Sequence, residues 1–161
     1  STEKDLTQRF SATPRLVFPP EKDKTDGEIA IDAAIERGAT ALVLCGAFGG
    51  RRADHAFLHM ALALRLEEAG LPVLLTSGTQ EGWPIVGGRK AAFEPLPAGT
   101  LFSLLPFSEL RDLTVESARW PLDHVSVPFG SSLTLSNIAL DGLSVRLRTG
   151  RALLLAQIDA K

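Results

Sequence analysis

Two short apolar runs restrict the fold most: "ALVLC" (41–45) and "PVLLTS" (72–77), separated by a glycine-rich turn and a long stretch of helical periodicity. Over 54–69, Phe57, Met60, Ala61 and Leu64 recur at i, i+3, i+4 and i+7, and Leu58, Leu62 and Leu66 widen the stripe. This predicts a well-buried helix ended by Gly70 and Pro72. Strand, helix and strand in that order make a parallel unit. The almost wholly apolar "ALVLC" fits a strand covered on both faces, with Cys45 a small buried hydrophobe within it. Upstream, "RLVF" (15–18) reads as a first strand. A helix follows at 26–37, opened by the T-x-x-E capping box of Thr25 and Glu28 and closed by Gly38.

Beyond residue 77 the character of the chain changes. Prolines and glycines cluster through 78–100. The runs "LFSLLPF", "DLTVES", "VSVPF", "SLTLS", "LSVRLRT" and "RALLLAQ" then follow, short and parted by turn residues, as in an antiparallel β-sandwich or barrel. Thr149-Gly150 turns the chain as a hairpin into the last strand. The expected fold class is therefore α/β plus all-β: a partial Rossmann-like parallel-sheet nucleotide domain over 1–80, followed by an antiparallel β-sandwich over 81–161.

Composition narrows the partners. Charged residues make up 22% of the chain and the formal net charge is −2, so no basic nucleic-acid footprint is present. A small anionic ligand that brings its own cations remains compatible, because such a site depends on local charge. The single cysteine excludes an intrachain disulfide framework and fits a reducing cytoplasm. No apolar run approaches the ~20 residues of a membrane span.

Loops leaving the C-terminal ends of parallel strands open on one edge, so the loops 19–25 and 46–53 are expected to share a crevice. Asp23 and Asp26 flank the first helix start. Arg52 and Asp54 flank the second, inside "GAFGGRRADH" (46–55), where Gly49 and Gly50 form the second glycine pair. Helix N-termini offer amide donors and partial positive charge, which suit phosphate oxygens and carboxylates alike. Magnesium needs few protein carboxylates and completes its shell with water and phosphate oxygens, so these aspartates suit a metal–nucleotide site; each is equally at home simply facing a helix dipole. The glycines lack both G-x-G-x-x-G spacing and a G-K-[ST] phosphate loop. His55 and His59 share a helical face, but "HAFLH" lacks the glutamate of a zinc motif and there is no obvious third ligand. His124 reads as a surface or turn residue.

Taken in order, "DKTD" (23–26), "GAFGGRRADH" (46–55), "FSLLPF" (102–107), "RWPL" (119–122) and "SLTLSN" (132–137) resemble the thiamine pyrophosphokinase (thiamine diphosphokinase) family over almost the whole chain. The resemblance implies transfer of pyrophosphate from ATP to thiamine, giving thiamine diphosphate and AMP, by a magnesium-dependent homodimer whose thiamine pocket spans the dimer interface. It implies Asp26 and Asp54 as metal and catalytic ligands and Arg52 as the phosphate-neutralising partner. Lys22, Asp23, Thr25, Gly49, Gly50 and Arg51 would serve the nucleotide. Trp120, Ser136 and Asn137 would contact thiamine. Trp120 reads equally as a core residue, and Ser136-Asn137 as a strand-end turn.

The family's R-x-D-H directly follows its glycine pair, whereas "GGRRADH" holds one more residue, so either Arg51 or Arg52 meets phosphate. The family's G-D-x-D-S magnesium loop is not found, which raises the expectation that the chain begins after it and is completed by another segment. Two further readings stay open. One is a thiamine-binding or dimerisation module without chemistry; the other is a generic Rossmann-like nucleotide sensor.

Overall fold

The computed structural model of the protein describes residues 8–14, 17, 23–48 and 50–158. The chain divides into two compact units, Ser1–Gly38 and Ala39–Lys161. In the first, helix α1 (Asp26–Glu36) begins at the expected capping box. The Glu28 amide donates to Thr25 Oγ1 at 3.2 Å, and the Thr25 amide donates to Glu28 Oε2 at 3.3 Å. Of the expected strand at 15–18 only Val17 is described, and it is exposed; the other three positions lie outside the described residues.

The second unit runs β1 (Leu42–Cys45), α2 (Ala53–Glu68), β2 (Val73–Thr76), β3 (Gln80–Val86), β4 (Leu101–Pro106), β5 (Leu110–Ala118), β6 (Leu122–Val127), β7 (Asn137–Thr149) and β8 (Arg151–Gln157). Its strands form one ladder in the order β1-β2-β3-β8-β4-β7-β5-β6. Among the described strands β1 and β2 are the parallel pair, in register from Leu42↔Val73 to Cys45↔Thr76, and every other pairing is antiparallel. The architecture is thus a mixed sheet with few helices. Period-two alternation sends Phe102 and Leu104 of β4, Leu113 and Val115 of β5, Val145 and Leu147 of β7, and Leu154 of β8 into one core cluster with Trp83 and Ile85. Leu153 on the opposite side of β8 is buried as well, because α2 packs on β2, β3 and β8. No described helix is long and apolar enough to cross a membrane.

Four local expectations are corrected. The glycine- and proline-rich stretch from 78 contains β3, which joins β2 to β8. Pro84 is tolerated there because it lies beyond the last β2–β3 rung, Leu75↔Gly82, where its missing N–H forfeits nothing on the β2 side. "SLTLS" is not a strand: Thr134 is buried, giving its hydroxyl to Leu104 O at 2.6 Å, while Leu133 and Leu135 are exposed. Cys45 is exposed, as is Val43 (60%) on the same face of β1, which ends the ladder among the described strands. Finally, β7 and β8 are not a hairpin, for β4 lies between them in the ladder. Gly150 instead turns a corner, passing the chain from β5's neighbour Thr149 to β3's neighbour Arg151.

That corner requires glycine. Gly150 has φ 116°, and a Cβ there would collide with Glu109 O and stand 3.1 Å from Leu110 Cα. Gly150→Ala should therefore cost about 3 kcal/mol, from strained backbone plus overpacking, as read by urea denaturation. A loss below ~0.5 kcal/mol, the range of ordinary surface changes, would mean the corner relaxes freely.

Candidate functional site

The loop between β1 and α2 is pinned at its start. Thr76 O, at the end of β2, accepts from the amides of Gly46 (2.7 Å) and Ala47 (3.2 Å). Phe48 lies over bare backbone at Gly82, where a Cβ would come within 2.8 Å of its ring. His59 Nδ1 stands 3.3 Å from Ala47 O and, as the protonated nitrogen, donates to it. His59 is thus a loop anchor, and its ring meets that of His55 edge-on at 6.3 Å.

Downstream of these anchors, Gly50, Arg51, Arg52 and Asp54 are all exposed at the start of α2. Arg52 is the N-cap residue but makes no capping bond with its side chain. Instead it forks onto Asp54, with Nε donating to Oδ1 at 2.9 Å and a terminal nitrogen to Oδ2 at 2.6 Å. The hydrogen bond from Arg52 chiefly holds the Asp54 carboxyl at about 2, and the amide of His55 contributes. The result is an ionised carboxylate, a bidentate guanidinium and the first-turn amides of α2 on one surface. Gly49 and Lys22 lie outside the described residues. Asp23, Thr25 and Asp26 belong to the first unit, where Thr25 is the α1 cap and Asp23 and Asp26 are exposed around the helix start.

A second constellation lies at the β5–β6 turn. Asn137, buried at the start of β7, uses its side-chain amide in place of ladder rungs: Nδ2 donates to Trp120 O at 2.7 Å, and Oδ1 accepts from the amides of Trp120 (3.2 Å) and Ile138 (2.8 Å). The clamp fixes the Trp120 backbone, and the residue is 53% exposed, so Trp120 is not a core residue. Arg119, which the sequence reading did not select, covers the ring, its guanidinium carbon 4.9 Å from the centroid. Ser136 is exposed in a left-handed conformation, φ 56°, with its amide bonded to Ser103 Oγ at 3.0 Å. Asn137 therefore brings Trp120 beside the Ser136 turn, and exposed Leu133 and Leu135 sit in the same loop.

This second constellation falls inside residues 92–154, which match the family described as "Thiamin pyrophosphokinase, vitamin B1 binding domain". Across more of the chain, the thiamine pyrophosphokinase of Bacillus subtilis (strain 168) is 29% identical over 138 residues, covering 84% of this chain and 64% of the relative. The chain therefore spans just under two thirds of that relative's length. The crystal structure of the Bacillus subtilis enzyme superposes with a TM-score of 0.82 at 24% identity, covering 98% of this chain and 74% of that one. That of thiamin pyrophosphokinase from Geobacillus thermodenitrificans gives 0.76 at 27% identity, covering 100% and 74%. By fold the chain is of the mixed-sheet class these structures share. Its sequence likeness is to thiamine pyrophosphokinases, through the vitamin B1 binding segment at 92–154 and through the Bacillus subtilis relative.

Removing the Asn137 amide would strand the Trp120 N–H and C=O. Asn137→Ala is expected to cost about 1–3 kcal/mol in chemical denaturation; an unchanged midpoint would deny the clamp. At the other constellation, Arg52→Ala should return the Asp54 carboxyl from about 2 towards its ordinary 3.8. A pKa lowered on folding stabilises the native state above the ordinary value and loses that contribution as pH falls towards 2. An NMR-followed carboxyl titration that is unmoved by the substitution would remove Arg52 as the cause.

Proposed function

We propose that the protein makes thiamine diphosphate, moving the pyrophosphoryl group of ATP to the hydroxyl of thiamine and releasing AMP. The observation that carries this reading is the Asn137 clamp, which holds a half-exposed indole beside the Ser136 turn within the segment that matches the vitamin B1 binding domain. Thiamine has a flat aminopyrimidine and a cationic thiazolium. An indole face already engaged by Arg119 suits a ligand that can exchange with that cation. One N–H of the Asn137 amide and the Ser136 hydroxyl remain available for polar contact.

In this reading the residues up to 80 form a Rossmann-like nucleotide half and those from 81 bind the vitamin. Arg52, with Arg51 beside it, takes phosphate charge, and Gly49 and Gly50 are the glycines proposed to serve the nucleotide. Asp54 would hold magnesium that arrives with ATP; within the first unit Asp26 is the metal candidate, with Lys22, Asp23 and Thr25 as nucleotide candidates. Asp54 has the donor chemistry for it: exposed, ionised at any ordinary pH and flanked by helix amides. The ion would neutralise phosphate charge, and the chain's own share is positioning. Phosphate binding would draw Arg52 off Asp54, freeing the carboxylate. Exposed apolar groups near the indole, Leu133 and Leu135, favour a partner surface, read here as a second copy completing the pocket.

The second reading is a thiamine-binding module without chemistry. It is favoured by Asp54, both of whose oxygens are already taken by Arg52. Combining the chain with thiamine, ATP and magnesium separates the two. The enzyme releases AMP only when thiamine is present; the module binds thiamine without turnover. Asp54→Asn should lower turnover by orders of magnitude while leaving the fold intact, and equal activity would reject its role. Trp120→Ala should weaken thiamine about tenfold, within the range for a lost aromatic contact. If thiamine affinity is unaffected, the indole is not part of the pocket.

A further inference from the structure

A cavity of about 400 Å³ opens on the β5–β6–β7 face, lined by Arg89, Lys90, Asp112, His124, Arg146 and Arg148 among others. Its charge contrasts with a chain whose formal net charge is −2. Three of the four permanent cations are tethered by part of their donors. Arg146 forks onto Glu116 at 2.7 and 3.1 Å. Arg148 gives only Nε to Asp112 Oδ2, at 3.1 Å. Arg89 gives both terminal nitrogens to the carbonyls of Glu67 and Glu68 at the end of α2, leaving Nε. Lys90 makes no hydrogen bond or ion pair with the described residues.

The backbone is shaped to collect these groups. The β5–β6 register slips on both sides of Leu113, and Asp112 and His124 adopt left-handed φ of 58° and 50°. Bulges re-aim side chains, and here they turn Asp112 so that one oxygen meets His124 Nδ1 and the other Arg148 Nε. Thr114 Oγ1 accepts the His124 amide at 3.3 Å and fixes the turn. His124 Nε2 lies 3.6 Å from Asp123 Oδ1, and His124 lines the cavity. The hydrogen bond to Asp112 raises the His124 pKa from its ordinary 6.5, so the imidazole is cationic over more of the neutral range.

We propose that this cavity binds the diphosphate group of a small molecule, with Lys90 and the free ends of Arg148 as its main ligands and His124 Nε2 as a third donor. Guanidinium and ammonium donors favour phosphoryl oxygens, and several cations round one concavity favour a multiply charged anion over a single carboxylate. The chain's overall negative charge disfavours an extended polyanion in the same place. The site is separate from the Arg52–Asp54 loop in residues and in elements, and it does not depend on the proposed catalysis.

Two probes carry the diphosphate chemistry: inorganic pyrophosphate for the free ion and ADP for an ester. Each is titrated into the whole chain without magnesium, following the His124 ring resonances. Saturable shifts are expected. Lys90→Ala and Arg148→Gln should each weaken binding about tenfold, in line with loss of one charge-assisted hydrogen bond. Arg52→Ala should leave the His124 titration unchanged. Tighter pyrophosphate binding assigns the free ion and tighter ADP binding an ester, and either supports the site. Non-saturable shifts that sodium chloride reproduces at equal ionic strength would overturn it. So would a titration lost in Arg52→Ala but kept in Lys90→Ala, which would move the anion to the α2 loop. Failure here leaves thiamine-dependent AMP formation untouched as a separate readout.

Discussion

The second unit depends on β7 having two neighbours. Its first residues, Asn137 and Ile138, pair with Phe102 and Leu101 of β4, and from Ala139 onward it pairs with β5. Between Ala139 and Ser144 the register slips, and the strand bends there. Strands that change sheets through a bulge make the corners of packed β-layers. Here the bend lets Phe102 and Leu104 on one side meet Leu113 and Val115 on the other in a single core. Gly150 supplies the other corner. Without both, β4 and β8 could not lie between β7 and β3.

The same bend creates the Trp120 site. Where β7 leaves β4 there are too few backbone rungs to satisfy the turn after β5, and the Asn137 side chain makes up the deficit. A buried amide in that position must be paired, so the clamp is structural before it is functional. Its consequence for binding is indirect. It fixes the backbone from which an exposed indole projects, and a fixed aromatic loses little entropy when a flat ligand stacks on it.

Local features were legible in the sequence. The Thr25–Glu28 box, the helix periodicity of 54–69 and the apolar runs at 42–45 and 73–76 depend on neighbours within a few residues, and each lies close to its expected place. β3 was hidden because Gly82 and Pro84 usually mark loops, and their tolerance comes from Phe48 and from the short reach of β2, both distant in sequence. In "SLTLS" the pattern alternates as a strand should, yet the buried member is Thr134, chosen by a carbonyl at Leu104 that no local pattern reveals. The site divides in the same way. Arg52 and Asp54 are two residues apart and could be paired on sight, whereas Asn137 and Trp120, seventeen apart, were recognisable only through family resemblance.

The two charged constellations share a design. In each a carboxylate holds an arginine at the surface: Asp54 with Arg52, and Asp112 with Arg148 and His124. Exposed pairs of this kind add little net stability, because Coulomb attraction in water is offset by the entropy of ordering long side chains. Opening one is correspondingly inexpensive. An incoming phosphate can therefore take the arginine without a large penalty, and it finds the guanidinium already near the right place. The released carboxylate then has different fates. Asp54 is left bare beside helix amides, where a cation can neutralise it. Asp112 keeps its bond to His124 and holds that imidazole in the cavity wall, so an anion there meets a cationic neighbour that is still oriented.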